Sequence, residues 1–125
     1  EGSACDFGFV LFESFKKHNM HEYLIRKNFK YDEKFRQYSY ENGNLKMYYN
    51  LNQSYIIVFN NNPKKEVRYR YNLLNKNLCL NLLYVDSDVD DYVFNTKDLK
   101  KLSDEEYQIY SDFKTNYLDI YFPFL

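Results

Sequence analysis

Phe35-Arg36-Gln37-Tyr38-Ser39-Tyr40-Glu41-Asn42-Gly43-Asn44-Leu45-Lys46-Met47-Tyr48-Tyr49-Asn50-Leu51 reads as two alternating segments joined by an Asn-Gly pair. Successive side chains point to opposite faces of a strand. Leu45, Met47, Tyr49 and Leu51 therefore share one face, and Lys46, Tyr48 and Asn50 share the other. Asn-Gly is the preferred pair for a two-residue type I′ turn, whose central residues both need positive φ. The stretch predicts a β-hairpin whose first strand runs near Phe35 to Tyr40.

The same period continues to Val85. Ser54 to Phe59, Glu66 to Leu73 and Leu78 to Val85 are rich in Tyr, Ile, Val and Leu, as half-buried strands require. Asn60-Asn61-Asn62-Pro63 predicts an exposed loop, since Asn tolerates positive φ and Pro cannot donate to a ladder. Asn75-Lys76-Asn77 predicts a second break. Connections this short imply antiparallel neighbours, because parallel strands need crossover elements. The expected sheet is a meander of four to five strands.

On the N-terminal side, Phe9, Phe12, Phe15, Met20, Tyr23 and Leu24 approximate helical spacing and predict a helix over Phe9 to Phe29, weakened at Lys16-Lys17-His18-Asn19. On the C-terminal side, Ser103-Asp104-Glu105-Glu106 forms a capping box, with Leu102 and Tyr107 placed for a hydrophobic staple. Tyr107, Tyr110, Phe113, Tyr117, Ile120 and Tyr121 trace the face expected to cover the sheet, and Pro123 closes the helix. The fold class is α+β: N-terminal helix, antiparallel meander, C-terminal helix, both helices on one face of the sheet.

A length of 125 residues suits one domain over 1–125, with 1–3 set aside as a cloning or processing remnant. Aromatic residues are 21% of the chain, with 15 Tyr, 11 Phe and no Trp, against only 3 Gly, so few turns can be built on glycine. The frequent Asn, Lys and Tyr match what an AT-rich genome would supply. A net charge of −1 provides no global field to gather the chain onto nucleic acid or an anionic membrane. The absence of an apolar run of about 18 residues predicts a soluble chain, cytoplasmic or secreted after processing. Cys5 and Cys79 permit at most one intramolecular disulfide. Gly2-Ser3-Ala4-Cys5 lacks the bulky apolar residue of a lipoprotein signal.

Four constellations bear on chemistry. His18 and His21 stand three apart beside Glu22, but no third ligand is tied to them by spacing, and two solvent-facing histidines are expected rather than a metal centre or an acid–base pair for RNA cleavage. Asp86, Asp88, Asp90 and Asp91 predict an acidic loop suited to a basic partner surface. The calcium-loop pattern fails there, with Asp91 where Gly is required and Lys97 where a bidentate Glu is required. Arg36, Lys46, Arg68 and Arg70 alternate along strands with Tyr38, Tyr40 and Tyr48, which predicts a basic, aromatic sheet face. Asn52-Gln53-Ser54 is a glycosylation sequon, meaningful only on a eukaryotic secretory route.

No phosphate loop, nucleophile elbow or CxxC pair commits the chain to an enzymatic reaction, and no cofactor is implied. The expected function is a non-enzymatic protein-binding module, of inhibitor or immunity type, acting through the Tyr/Arg face or the acidic loop. The alternatives are RNA or single-stranded nucleic-acid binding on that face, and a small ribonuclease-like or metal-dependent enzyme using His18 and His21.

Overall fold

Asparagine and aspartate, rather than glycine, make most of the turns. The computed structural model describes residues 20–85 and 89–125. Asp32, Asn50, Asn62, Asn72 and Asn95 each close a strand, and each accepts a backbone N–H a few residues on, at 2.8–3.0 Å in the shortest case. Such Asx turns replace a backbone bond with a side-chain bond. The Asn content thus has a structural use.

The strands are β1 (Lys30–Asp32), β2 (Gln37–Asn42), β3 (Leu45–Asn50), β4 (Tyr55–Asn62), β5 (Lys65–Asn72), β6 (Asn77–Tyr84) and β7 (Val89–Asn95). They form one antiparallel sheet in sequence order. Among the described residues this gives seven strands where four to five were expected. β1 has three residues, too few to show a period. β7 was hidden by its aspartates: Val89, Asp91 and Val93 alternate with Asp90, Tyr92 and Phe94, so the expected acidic loop is, from Val89 onward, a strand.

Two turns also differ from expectation. Asn42 pairs with Leu45, so the β2–β3 turn falls on Gly43-Asn44 rather than Asn42-Gly43. Among these, only Gly43 has positive φ, at 59°. That is the pattern of a type II′ turn, which needs Gly at its first central position. Likewise β4 runs on through Asn62, and Asn62 pairs with Lys65, leaving Pro63-Lys64 as the turn. Proline here lies outside the ladder, so the asparagines before it remain strand.

Helix α1 is described over 20–26. It stops at Asn28, whose φ is 70°. Phe29 N–H donates to the Leu24 carbonyl and Asn28 N–H to the Ile25 carbonyl, both at 3.0 Å. These two bonds form a Schellman motif. The helix therefore ends before the expected Phe29, and Phe29 turns into the core instead; the portion expected before residue 20 lies outside the described residues.

After a short turn at Leu99–Lys101, helix α2 (Asp104–Phe113) begins with the expected capping box: Ser103 Oγ accepts from Glu106 N–H at 3.1 Å, and Glu106 Oε1 accepts from Ser103 N–H at 2.9 Å. A π-helical turn at Lys114–Leu118 then leads into α3 (Asp119–Tyr121). The wide turn shifts the buried stripe. Burial falls at Phe113, Leu118 and Phe122, while Tyr107 and Ile120 are exposed. A regular α-helix would have kept the expected 113–117–120 stripe, and the extra residue in the π turn rotates it.

Both helical segments lie on the same face of the sheet. Tyr38, Tyr49, Ile56, Tyr71, Leu78 and Phe94 make a continuous cross-strand row on that face, and all are buried with Leu24, Phe29 and Phe113. Met47 and Val58 occupy the next row. The aromatic content packs in tilted and edge-to-face pairs, among them Tyr71–Phe113 at 5.5 Å and Tyr49–Phe122 at 5.5 Å. Such pairs add about 0.5–1.5 kcal/mol each beyond area burial. Among the described residues, no buried side-chain polar atom lacks a hydrogen-bond partner.

Candidate functional site

The opposite face of the sheet carries the side chains of the other parity, and among the described residues no helix covers it. Its central row runs Ser39, Tyr48, Ile57, Arg70, Cys79 and Val93. The next row runs Glu41, Lys46, Phe59, Arg68, Asn81 and Asp91. Beyond it Asn61, Glu66, Leu83 and Val89 complete the surface.

Two arginines on this surface stand over aromatic rings. The Arg68 guanidinium stands 4.4 Å from the centre of the Phe59 ring, and that of Arg70 stands 5.4 Å from Tyr55. Register explains both pairs, since Arg68 opposes Phe59 directly and Arg70 is diagonal to Tyr55. The stacked Arg68–Phe59 pair separates two shallow hollows. One, of about 330 Å³, is lined by Glu66, Arg68, Asn81, Leu83, Val89 and Asp91. The other, of about 410 Å³, is lined by residues including Lys46, Tyr48, Phe59 and Asn61.

Charge on the face is nearly balanced. Lys46 lies 3.8 Å from Glu41 and Arg68 lies 4.0 Å from half-buried Glu66, both at the long limit of an ion pair and open to solvent on at least one side, and therefore weak. Asp91 accepts from the Asn81 amide at 2.6 Å. Large apolar side chains are also left out of the core here: Leu83 is 46% exposed, Val89 55% and Val93 69%.

Of the residues expected at the site, Tyr48, Arg68, Arg70 and Asp91 meet on this face together with Lys46. The others do not. Tyr38 is in the core, with its hydroxyl 2.7 Å from His21 Nδ1, and Tyr40 packs on the covered side against Tyr121 at 5.5 Å. The reason is parity: Tyr38 and Tyr40 pair with Tyr49 and Met47, which are core residues. Arg36 is in the turn before β2, with φ of 48° and Nη1 donating to Asn52 Oδ1 at 3.3 Å. Asp90 points to the covered side at an exposed rim, so it does not join Asp91 in one acidic knob. Asp86 and Asp88 lie outside the described residues, as do His18 and Cys5.

His21 is half-buried against Tyr31 and Tyr38 and is not the solvent-facing side chain expected. Among the described residues, no group of three His, Cys, Asp or Glu side chains converges to hold a metal ion. Burial, reinforced by neighbouring Tyr31 and Tyr49, pushes the Tyr38 phenol up to about 12. No helix among the described residues is long and apolar enough to cross a membrane.

Sequence reasoning missed Tyr55, Ile57, Phe59, Leu83, Val89 and Val93. The signal was present in part: once Arg68 and Arg70 are placed outward, a two-residue turn at Pro63-Lys64 places Phe59 and Ile57 opposite them. Ending the strand at Phe59 concealed that register. Compared with known proteins, the chain matches no family model, no curated protein and no solved structure.

Proposed function

We propose that this chain is a protein-binding module whose contact surface is the open face of the sheet, in the manner of an inhibitor or immunity-type partner. The observation that supports this reading is the combination on one face of stacked Arg–aromatic pairs with exposed Leu83, Val89 and Val93. Arg and aromatic side chains supply most binding hot spots, because they bury large areas while keeping polar edges for hydrogen bonds. A guanidinium that rests against a ring has fewer rotamers to lose, so less side-chain entropy is lost on docking.

The partner suited to this face is a protein with a mixed apolar and charged surface. Lys46, Arg68 and Arg70 are offset by Glu41, Glu66 and Asp91, and a phosphate backbone would meet as many carboxylates as cations there. Partners captured from source cells are to be identified and then titrated against the purified chain. Arg68→Glu and Tyr48→Ala should each weaken the affinity by roughly tenfold or more, which is about 1.4 kcal/mol, while the chain stays folded with its melting temperature lowered by no more than about 8 °C. Undiminished affinity in both variants rejects the open face. Single-stranded RNA that binds with a steep salt dependence lost in Arg68→Glu would replace the protein partner with nucleic acid.

A further inference from the structure

A second, independent feature lies at the end of the sheet where the β5–β6 turn, the segment after β7 and the chain's last residues meet. These elements enclose a cleft of about 330 Å³, at the small end of the range for ligand sites. Its apolar wall includes Leu73, Phe122 and Pro123, and its rim holds Lys76, Lys97 and Lys114.

The rim cations are unequal. Lys114 is held by Asp119, at 2.9 and 3.1 Å to the two carboxylate oxygens. Among the described residues, Lys76 and Lys97 have no carboxylate within ion-pair distance. Two of the three rim cations are therefore left without an ion-pair partner beside the apolar wall, while Asp119 in the same lining is engaged by Lys114. Lys76 is also an unusual residue for its place, since its φ is 59°. The left-handed region favours Gly and Asn, and asparagines stand on both sides of it at Asn75 and Asn77. A lysine at that position has a conformational cost that either neighbour would reduce. The turn holds its ammonium 6.0 Å from the centre of the Tyr71 ring, within the lining of the cleft. Thr96 Oγ1 donates to the Lys76 carbonyl at 2.8 Å and fixes the same turn.

We propose that this cleft binds a small amphipathic carboxylate, its head group between Lys76 and Lys97 and its hydrocarbon part against Leu73 and Phe122. The complementarity is twofold: two unpaired ammonium groups attract an anion, and the apolar wall excludes one without a tail.

The test uses the full chain and sodium octanoate as probe, followed by calorimetry and by amide chemical shifts, with acetate and octan-1-ol as the head-only and tail-only controls. Saturable octanoate binding, with shifts at Lys76, Thr96, Lys97 and Phe122, is expected. Each control should bind at least roughly tenfold more weakly, because each lacks one of the two contributions. The double variant Lys76→Asn, Lys97→Gln keeps a residue suited to positive φ, so it should fold and lose roughly tenfold or more in octanoate affinity. Failure of octanoate to saturate overturns the proposal, as do equal binding of octan-1-ol, shifts confined to the open sheet face, or unchanged affinity in the double variant.

Discussion

The two faces of the sheet are made by the same strands, yet they are energetically unlike. On the covered face the row from Tyr38 to Phe94 is buried throughout, and its Tyr71 meets Phe113 of α2 while its Tyr49 meets Phe122 just beyond α3. On the open face the neighbouring row runs from half-buried Tyr48 and Ile57 to Val93, which is 69% exposed. Strand propensity is common to both rows, because each residue of one is adjacent in sequence to a residue of the other. The difference comes from what lies above the strand. One face gains from removing apolar area from water, and the other retains apolar area that only a further surface can bury.

This contrast breaks most readily with matched phenylalanines. Phe113→Ala should cost about 3–5 kcal/mol, read from denaturant midpoints, whereas Phe59→Ala should cost less than about 1 kcal/mol, chiefly the lost stacking of Arg68. Comparable losses at both positions would mean that the open face is a second core. The rotated helix stripe gives the next largest effect. Leu118→Ala should cost about 2–5 kcal/mol and Ile120→Ala about 0.5 kcal/mol or less, and the reverse order would show that a regular helix, not the π turn, presents this segment to the sheet.

Alkaline titration sharpens the contrast from a different direction. Burial, then Tyr117 and Asp112, pushes Tyr69 up to about 12, as burial does for Tyr38. Both phenols are raised in the folded chain above the ordinary value of 10.0. Their contribution is therefore fully present below pH 10.0 and is lost as pH rises toward about 12, since the unfolded chain releases these protons first. The slope should reach about 1.4 kcal/mol per pH unit for each such tyrosine. Stability that stays level across this interval, or phenolate absorbance that grows in a single step near pH 10.0 without unfolding, would contradict the burial of these rings.

Much of the architecture was legible in the residues. The alternation of Leu45, Met47 and Tyr49 against Lys46 and Tyr48 specified a strand and assigned its faces correctly. Ser103 with Glu106 marked the helix start to the residue. The site was less legible. Tyr38 and Tyr40 alternate with polar Gln37, Ser39 and Glu41, whereas Tyr48 lies between Met47 and Tyr49, and the amphipathic tyrosine side chain left the face of β2 open. Strand β7 escaped because aspartates dominate its beginning, and its exposed Val89 and Val93 escaped with it.

Local sequence determined the period of each segment, the cap at Ser103 and the turn-forming asparagines, because these depend on backbone geometry and on bonds spanning only a few residues. Register, the choice between the two faces of β2 and the rotation of the final helix were decided by the tertiary structure alone. Those depend on which side chains oppose one another across strands and on which face the helices cover. A tyrosine satisfies either environment, since its ring can be buried and its hydroxyl can reach water or a partner such as His21.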